Sequence, residues 1–195
     1  MQRIPVRSTR AVLALAILTV IAVAVACGGG GGDSGDGAAP IGSYPYAVQR
    51  FDEVTPRSHF PVGQTFDGYN SNPPTSGPHA AAPAPFGVSD LAIAKEQAVH
   101  NMEHAGVVVW YNCNGGPAPL TSDECTQLRN DLASVVQPAF AGGKSVLMTP
   151  YPGMDNRIAL TGWQYLDAFD EFDAARVQTF IDTFVCHYDP EHFCG

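Results

Sequence analysis

The sequence has few basic residues. It contains 10 lysine and arginine residues against 19 aspartate and glutamate residues in 195 positions, and its formal net charge is −9. Removal of residues 1–26 would take away three arginines and no acidic residue, which leaves 7 basic against 19 acidic residues and a charge of −12. Such a chain lacks the basic surface that holds nucleic acid or attracts anionic lipid head groups. We therefore expect no nucleic-acid partner.

Long hydrophobic runs are also scarce. The run from Ala11 to Ala26 covers 16 residues, is interrupted by Thr19, and follows the basic residues Arg3, Arg7 and Arg10. A helix needs roughly 20 apolar residues to cross a bilayer, so this run does not predict a permanent membrane span. A basic segment followed by a short apolar run is typical of an export signal.

Cys27 follows the apolar run directly. The segment Ala24-Val25-Ala26-Cys27 resembles the bacterial lipobox, in which the cysteine is lipidated, and it also fits plain A-x-A cleavage to a secreted protein. Seven glycines in residues 28–37 predict a flexible tether. We predict a lipoprotein signal peptide at 1–26, lipidated Cys27 with a tether at 27–43, and one globular domain at 44–195. The lipid anchor would hold the domain at the membrane, on the periplasmic or outer surface of the cell envelope.

Cysteine is rare as well, with five positions in the chain. Besides Cys27, four cysteines lie in the domain, and in an oxidising compartment they are best interpreted as two disulfides. The simplest of three possible pairings is the local one, Cys113–Cys125 and Cys186–Cys194. A rival hypothesis is a metal site built from the cysteines and histidines of residues 186–194.

The pattern of apolar residues predicts a mixture of helices and strands. Residues 44–88 are rich in proline and glycine and predict an ordered loop region with a short strand within 46–54. Helices are predicted over 89–104, 122–136 and 173–185, and strands over 107–111, 144–149 and 157–163. Residues 167–173 are predicted to form a solvated acidic turn. The result is an α+β fold with a single small mixed sheet covered by helices, a long Pro/Gly-rich N-terminal loop region and two disulfides.

The first predicted helix carries the most informative segment, His100-Asn101-Met102-Glu103-His104. We expect Ser89 or Asp90 to cap this helix and Gly106 to end it. Two imidazoles four residues apart share one face of a helix, with the carboxylate of Glu103 beside them. The opposite side is apolar and should face the core; it comprises Leu91, Ala94, Ala98, Met102 and Ala105.

A third imidazole, that of His79, ends a stiff segment with three prolines that begins at Pro73. The metal ligands predicted on this basis are His79, His100, His104 and Glu103. Imidazole ligands suit zinc, copper, nickel or iron, and we take copper or zinc as the expected ion. A nearby Met148 or Met154 would favour Cu(I), but the sequence places neither at the site.

Three other interpretations of the segment remain open. It also spells H-x-x-E-H, the inverted zinc-protease signature. That class requires a long helix and a distant acidic ligand, for which Glu171 is the only acid at a plausible distance, so we disfavour it. A metal-dependent hydrolase would use Glu103 as the base toward a metal-bound water. A cell-surface interaction module without metal would use the histidines only to organise the proline-rich loop against the helix by hydrogen bonds. The baseline for all of these is an ordinary exposed helix face on which His100, Glu103 and His104 pair weakly.

The two histidine segments together resemble a family of exported bacterial and archaeal proteins, domain of unknown function 3105. The resemblance rests on Pro73 to His79 and on Val99 to His104 followed by Gly106, and it continues through Thr149 to Pro152 and Ala159 to Trp163. The resemblance implies a fold and a site at these residues, but no settled reaction. Because the sequence also lacks a G-x-S-x-G motif and a free thiol is not expected, we predict metal binding rather than catalysis.

Overall fold

In a computed structural model of the protein, Ile41 and residues 44–194 are described. The predicted export signal, the lipidation site Cys27 and the glycine segment 28–37 lie outside the described residues.

The described residues form eight strands and three helices. The strands are β1 (Gln49–Arg50), β2 (His59–Phe60), β3 (His79–Ala80), β4 (Gly87–Val88), β5 (Val107–Tyr111), β6 (Val146–Pro150), β7 (Ile158–Gly162) and β8 (Tyr165–Phe169). The helices are α1 (Lys95–Glu103), α2 (Ser122–Ala141) and α3 (Ala174–Phe184). Six strands form one sheet in the order β1-β8-β7-β5-β6-β4, and β2 and β3 form a separate parallel pair.

The six-stranded sheet is mixed, as the sequence predicted. Strand β5 pairs in parallel with β6 and antiparallel with β7, and β8 continues the antiparallel side. All five residues of β5 are buried, because helices cover both faces of the sheet. Val107, Val109 and Tyr111 pack with α2 and α3, whereas Val108 and Trp110 pack with α1. The fold is therefore α+β, and α1 stands on the face opposite to the other two helices.

Helix α1 begins at Lys95 and not at residue 89 or 90. The hydroxyl of Ser89 accepts the N–H of Leu91 at 3.2 Å, so it caps a local turn and not the helix. The N–H of Ile93 then donates to Thr149 Oγ1 at 2.9 Å, which holds this segment against β6. The expectation that Leu91 faces the core is wrong, since 77% of it is exposed.

The predicted acidic turn at residues 167–173 is wrong in its first half, which forms strand β8. Aspartate is depleted in strands and is seldom buried without a partner, so the presence of Asp167 argued against a strand in the sequence. In the structure Asp167 is buried, accepts a hydrogen bond from Tyr44 Oη at 2.5 Å and forms an ion pair with Arg176.

The two-residue strands β2, β3 and β4 were not predicted, whereas the other helices and strands differ from prediction mainly at their ends. Helix α2 extends to Ala141, and its N-terminus is capped by Thr121 in a capping box with Glu124. Both predicted disulfides, Cys113–Cys125 and Cys186–Cys194, are present, so the rival metal site using these cysteines is excluded. Disulfides are consistent with an extracytoplasmic location. Within the described part of the chain, no helix combines the length and hydropathy needed to span a membrane.

Candidate metal centre

Three histidines from separate segments of the chain converge beside helix α1. His59 lies in β2, His79 in β3 and His100 in α1. Strands β2 and β3 pair in parallel with His59 opposite His79, which brings these two rings to a centroid distance of 4.5 Å. One nitrogen of each of the three rings lies within 4.8 Å of the others, close enough for the group to hold a metal ion.

The segment from Pro73 to His79 is fixed by its neighbours as well as by its prolines. Tyr69 Oη donates to the carbonyl of Pro78 at 2.7 Å. Gly77 has a φ of 125°, and a Cβ at this position would lie 3.0 Å from Val54 Cβ. Only glycine fits that conformation and that space without strain. The side chain of His79 is consequently delivered to a defined position, where it is fully buried.

Backbone carbonyls orient two of the three imidazoles. His79 Nδ1 donates to the carbonyl of Gly77 at 2.7 Å, and His100 Nδ1 donates to the carbonyl of Ala80 at 2.6 Å. A carbonyl oxygen only accepts, so Nδ1 carries the hydrogen in both rings and Nε2 is directed into the cluster. An N–H held by a carbonyl in this way is the usual support of a histidine that binds metal through its other nitrogen.

Glu103 lies beside the same histidines. Its Oε2 accepts hydrogen bonds from His79 Nε2 at 2.9 Å and from His59 Nε2 at 3.1 Å. Burial alone would raise the pKa of Glu103, but the hydrogen bonds and positive charge of His79 and His59 outweigh burial and lower the pKa below its ordinary value. Because both nitrogens of His79 face acceptors, each of them donates in this structure. A metal ion bound to His79 would take the position of the Nε2 proton.

His104 stands at the outer side of the cluster. Its Nε2 lies 2.9 Å from His100 Nε2 and 3.1 Å from Glu191 Oε2, and its ring contacts Phe193 at a centroid distance of 4.3 Å. Burial lowers the pKa of His100, against the opposing effect of its hydrogen bond to Ala80. Because Nδ1 of His100 is held by Ala80, the two rings face each other through their Nε2 atoms.

The structure brings together all four residues that the sequence predicted as ligands, which are His79, His100, His104 and Glu103. The alternative of an exposed helix face is wrong, because His100 and Glu103 are each only 6% exposed. Sequence reasoning missed His59 and Glu191. Neither belongs to a spacing motif: strand pairing positions His59, and the Cys186–Cys194 loop positions Glu191.

The donor atoms of the cluster are imidazole nitrogens and carboxylate oxygens. All four cysteines of the described chain are in disulfides, so no thiolate contributes. Met148 packs with α2 and α3 on the other face of the sheet and offers no thioether. Glu171, the acid that a protease would need, pairs with Arg157 and is 90% exposed at its side chain. This donor set suits zinc, Cu(II), nickel or Fe(II).

Comparison with known proteins agrees with the resemblance in the histidine segments. The model of a family described as "Protein of unknown function (DUF3105)" matches residues 59–193. No curated protein and no solved structure matches the chain. The matched region begins at His59 and includes every histidine of the cluster, together with Glu191. The chain therefore belongs to the DUF3105 family of proteins of unknown function.

Proposed function

We propose that this protein is an extracytoplasmic, membrane-tethered protein that binds a divalent transition-metal ion through His59, His79 and His100, with Glu103 beside them. The observation that carries the proposal is the convergence of three ring nitrogens within 4.8 Å of one another. Two of these rings are buried and are oriented by backbone carbonyls. Imidazoles that lie this close together, with Nδ1 held by a backbone carbonyl and Nε2 left toward the cluster, are expected of a metal site.

Burial of the cluster also supports a bound cation. Polar groups withdrawn from water are costly unless they are fully hydrogen-bonded or coordinate a metal. In the absence of metal, the single oxygen Glu103 Oε2 accepts hydrogen bonds from two imidazole N–H groups. Binding of a metal ion would replace those N–H contacts by coordination and would release protons, as is usual for histidine sites.

Binding is better supported than hydrolysis. A general base should have a pKa near the working pH. The pKa of Glu103 is lowered, because the hydrogen bonds and charge of His79 and His59 outweigh the effect of burial. Its Oε2 is also occupied by these two residues. Glu103 is thus positioned to orient ligands or to bind the ion, and is poorly suited to remove a proton from water.

Elemental analysis of protein exported to an oxidising compartment tests the proposal. We expect at least one equivalent of zinc or copper after reconstitution, and loss of that equivalent in His79→Ala and in His100→Ala. His59→Ala serves as a second test because this side chain is 43% exposed and its removal should not disturb folding. His187→Gln is the matched control, since the ring of His187 contacts Tyr165 and Phe184 and not the cluster.

Two results would contradict metal binding. One is wild-type protein that retains no zinc, copper, nickel or iron after reconstitution. The other is metal that remains bound in a folded triple variant of His59, His79 and His100. Either result would favour the remaining interpretation, in which the histidines join the loop to helix α1 through hydrogen bonds in an interaction module.

The membrane tether is a separate part of the proposal. We propose that lipid on Cys27 anchors the chain and that the glycine segment 28–37 lets the domain stand away from the bilayer. The mass of the N-terminal peptide from native membranes should exceed the peptide mass by that of acyl chains. An unmodified Cys27, or a mature chain recovered without membranes, would instead support secretion.

A further inference from the structure

The outer side of the cluster contains more donor atoms than one metal ion at the three histidines would use. His104 Nε2 lies between two other groups, with His100 Nε2 at 2.9 Å and Glu191 Oε2 at 3.1 Å. A cation held by these three residues would have two imidazole nitrogens and one carboxylate oxygen as ligands.

The six donor residues fall into two groups of the same composition. The inner set is His59, His79 and Glu103, and the outer set is His100, His104 and Glu191. In the inner set the two contacts to Glu103 Oε2 are 3.1 and 2.9 Å. In the outer set the two contacts to His104 Nε2 are 2.9 and 3.1 Å. Each set therefore has two imidazoles and one carboxylate, a ligand combination common in transition-metal sites.

These separations match the spacing of ligands around a metal ion. Bonds of about 2.0–2.2 Å place neighbouring ligands about 2.9 Å apart at right angles and about 3.4 Å apart at the tetrahedral angle. His100 has one nitrogen available, because its Nδ1 donates to Ala80. Its Nε2 can therefore serve one ion at a time, and the outer set can use it when the inner set already has three ligands.

Glu191 is held in position by the loop between Cys186 and Cys194. The N–H of Cys186 donates to the carbonyl of Ala105 at 2.9 Å, directly after His104. Asp189 accepts the N–H groups of Phe193 and Cys194 at 2.8 and 2.9 Å, which folds the loop back on itself. The disulfide thus closes a loop that is held against the end of helix α1. This loop places the carboxylate of Glu191 beside His104.

We propose that the cluster is a two-ion centre: when two first-row divalent cations are bound, His59 and His79 hold the first together with Glu103, and His100 is used by the second together with His104 and Glu191. This inference rests on the proposed metal binding. Paired sites of this kind hold their ions about 3.5–4 Å apart, with one set of ligands adjoining the other.

Zinc stoichiometry on the full-length mature protein tests the second site. Native mass spectrometry and elemental analysis should find two zinc ions per wild-type chain, and one in Glu191→Gln and in His104→Ala. Glu171→Gln is the matched control, because Glu171 contacts Arg157 and none of the histidines, and it should retain two. In the Cu(II) form, magnetic coupling between neighbouring ions should weaken the electron paramagnetic resonance signal per copper. Glu191→Gln should restore the signal of an isolated ion.

Removal of the Cys186–Cys194 disulfide is a second, independent test of the outer site. Replacing both Cys186 and Cys194 by serine should weaken the second zinc by about 10- to 100-fold, the usual effect of removing a group that positions a ligand, and leave the first unchanged. One zinc in both wild type and Glu191→Gln would overturn the two-ion centre while leaving metal binding intact. Loss of both ions in Glu191→Gln would also overturn it. No zinc in any variant would contradict metal binding itself.

Discussion

Asn101 lies inside the His100–His104 segment and ties helix α1 to the chain that follows His79. Its Nδ2 donates to the carbonyl of Ala84 at 2.8 Å, and its Oδ1 accepts the N–H of Ala84 at 2.9 Å. Both residues are buried. The same loop carries Ala80, whose carbonyl orients His100. Asn101, which lies between the two helix histidines, therefore helps to hold the loop that orients His100.

Asn101→Ala should lower the free energy of unfolding by about 2–4 kcal/mol, because it leaves the buried N–H and carbonyl of Ala84 without partners. Urea denaturation of the metal-free protein measures this change. Asn114→Ala, at an exposed asparagine, should alter stability by no more than about 0.5 kcal/mol. Equal effects of the two substitutions would mean that the hydrogen bonds between Asn101 and Ala84 contribute nothing to stability.

Among the elements, helix α1 is unusual in being buried on its polar side as well as its apolar side. Ala98 and Met102 pack against the sheet, while Glu96, His100 and Glu103 are buried toward the loop region. The helix must end abruptly to leave His104 at the edge of the cluster. It does so through Ala105, whose φ is 61°, and through a hydrogen bond from the N–H of Gly106 to the carbonyl of Asn101 at 3.0 Å.

Gly106→Ala should therefore destabilise the junction between α1 and β5. A Cβ at Gly106 would lie 2.7 Å from the carbonyl oxygen of Asn101 and 2.6 Å from Phe86 Cε1, and the backbone oxygen cannot move aside without breaking the helix end. We expect a loss of about 1–3 kcal/mol in the free energy of unfolding, measured by urea denaturation.

The neighbouring substitution Ala105→Gly is the control for the junction. It relieves the left-handed conformation of an alanine but removes a buried methyl group, and these two effects are each about 1 kcal/mol and opposite in sign. Stability should change by less than about 1 kcal/mol. If Gly106→Ala were as mild as Ala105→Gly, the close approach at Gly106 would not limit the junction.

For the molecule as a whole, the stability of the metal-free protein should depend on pH. Burial lowers the pKa of His187, whose Nε2 has no hydrogen-bond partner among the described residues. The unfolded chain therefore binds a proton at this residue more readily than the folded protein does. The resulting loss of stability is absent well above the ordinary histidine pKa of about 6.5, and it grows as the pH falls through that value.

We expect the free energy of unfolding to fall between about pH 7.5 and about pH 5.5, and to fall less steeply in His187→Gln. Urea denaturation at three pH values in this range, with chelator present, measures both slopes. Parallel slopes in wild type and variant would show that the folded protein accommodates a charged His187 without cost.

The sequence was sufficient wherever a structural feature depends on residues close together in the chain. Strand β5 was predicted at its observed bounds, because five consecutive β-branched and aromatic residues leave little alternative. The two local disulfides were also predicted correctly. Strand β8 was missed because its stability depends on pairing with β7 and on the distant partners of Asp167, which local pattern does not contain.

The same distinction applies to the candidate site. Spacing within one helix was enough to predict His100, Glu103 and His104 as neighbours, and the proline-rich segment pointed to His79. Tertiary structure alone added His59, through the register of a two-residue parallel strand pair, and Glu191, through a disulfide-closed loop. A helix sets the distances between residues one turn apart by its own geometry. Distances between separate segments depend on how the chain packs.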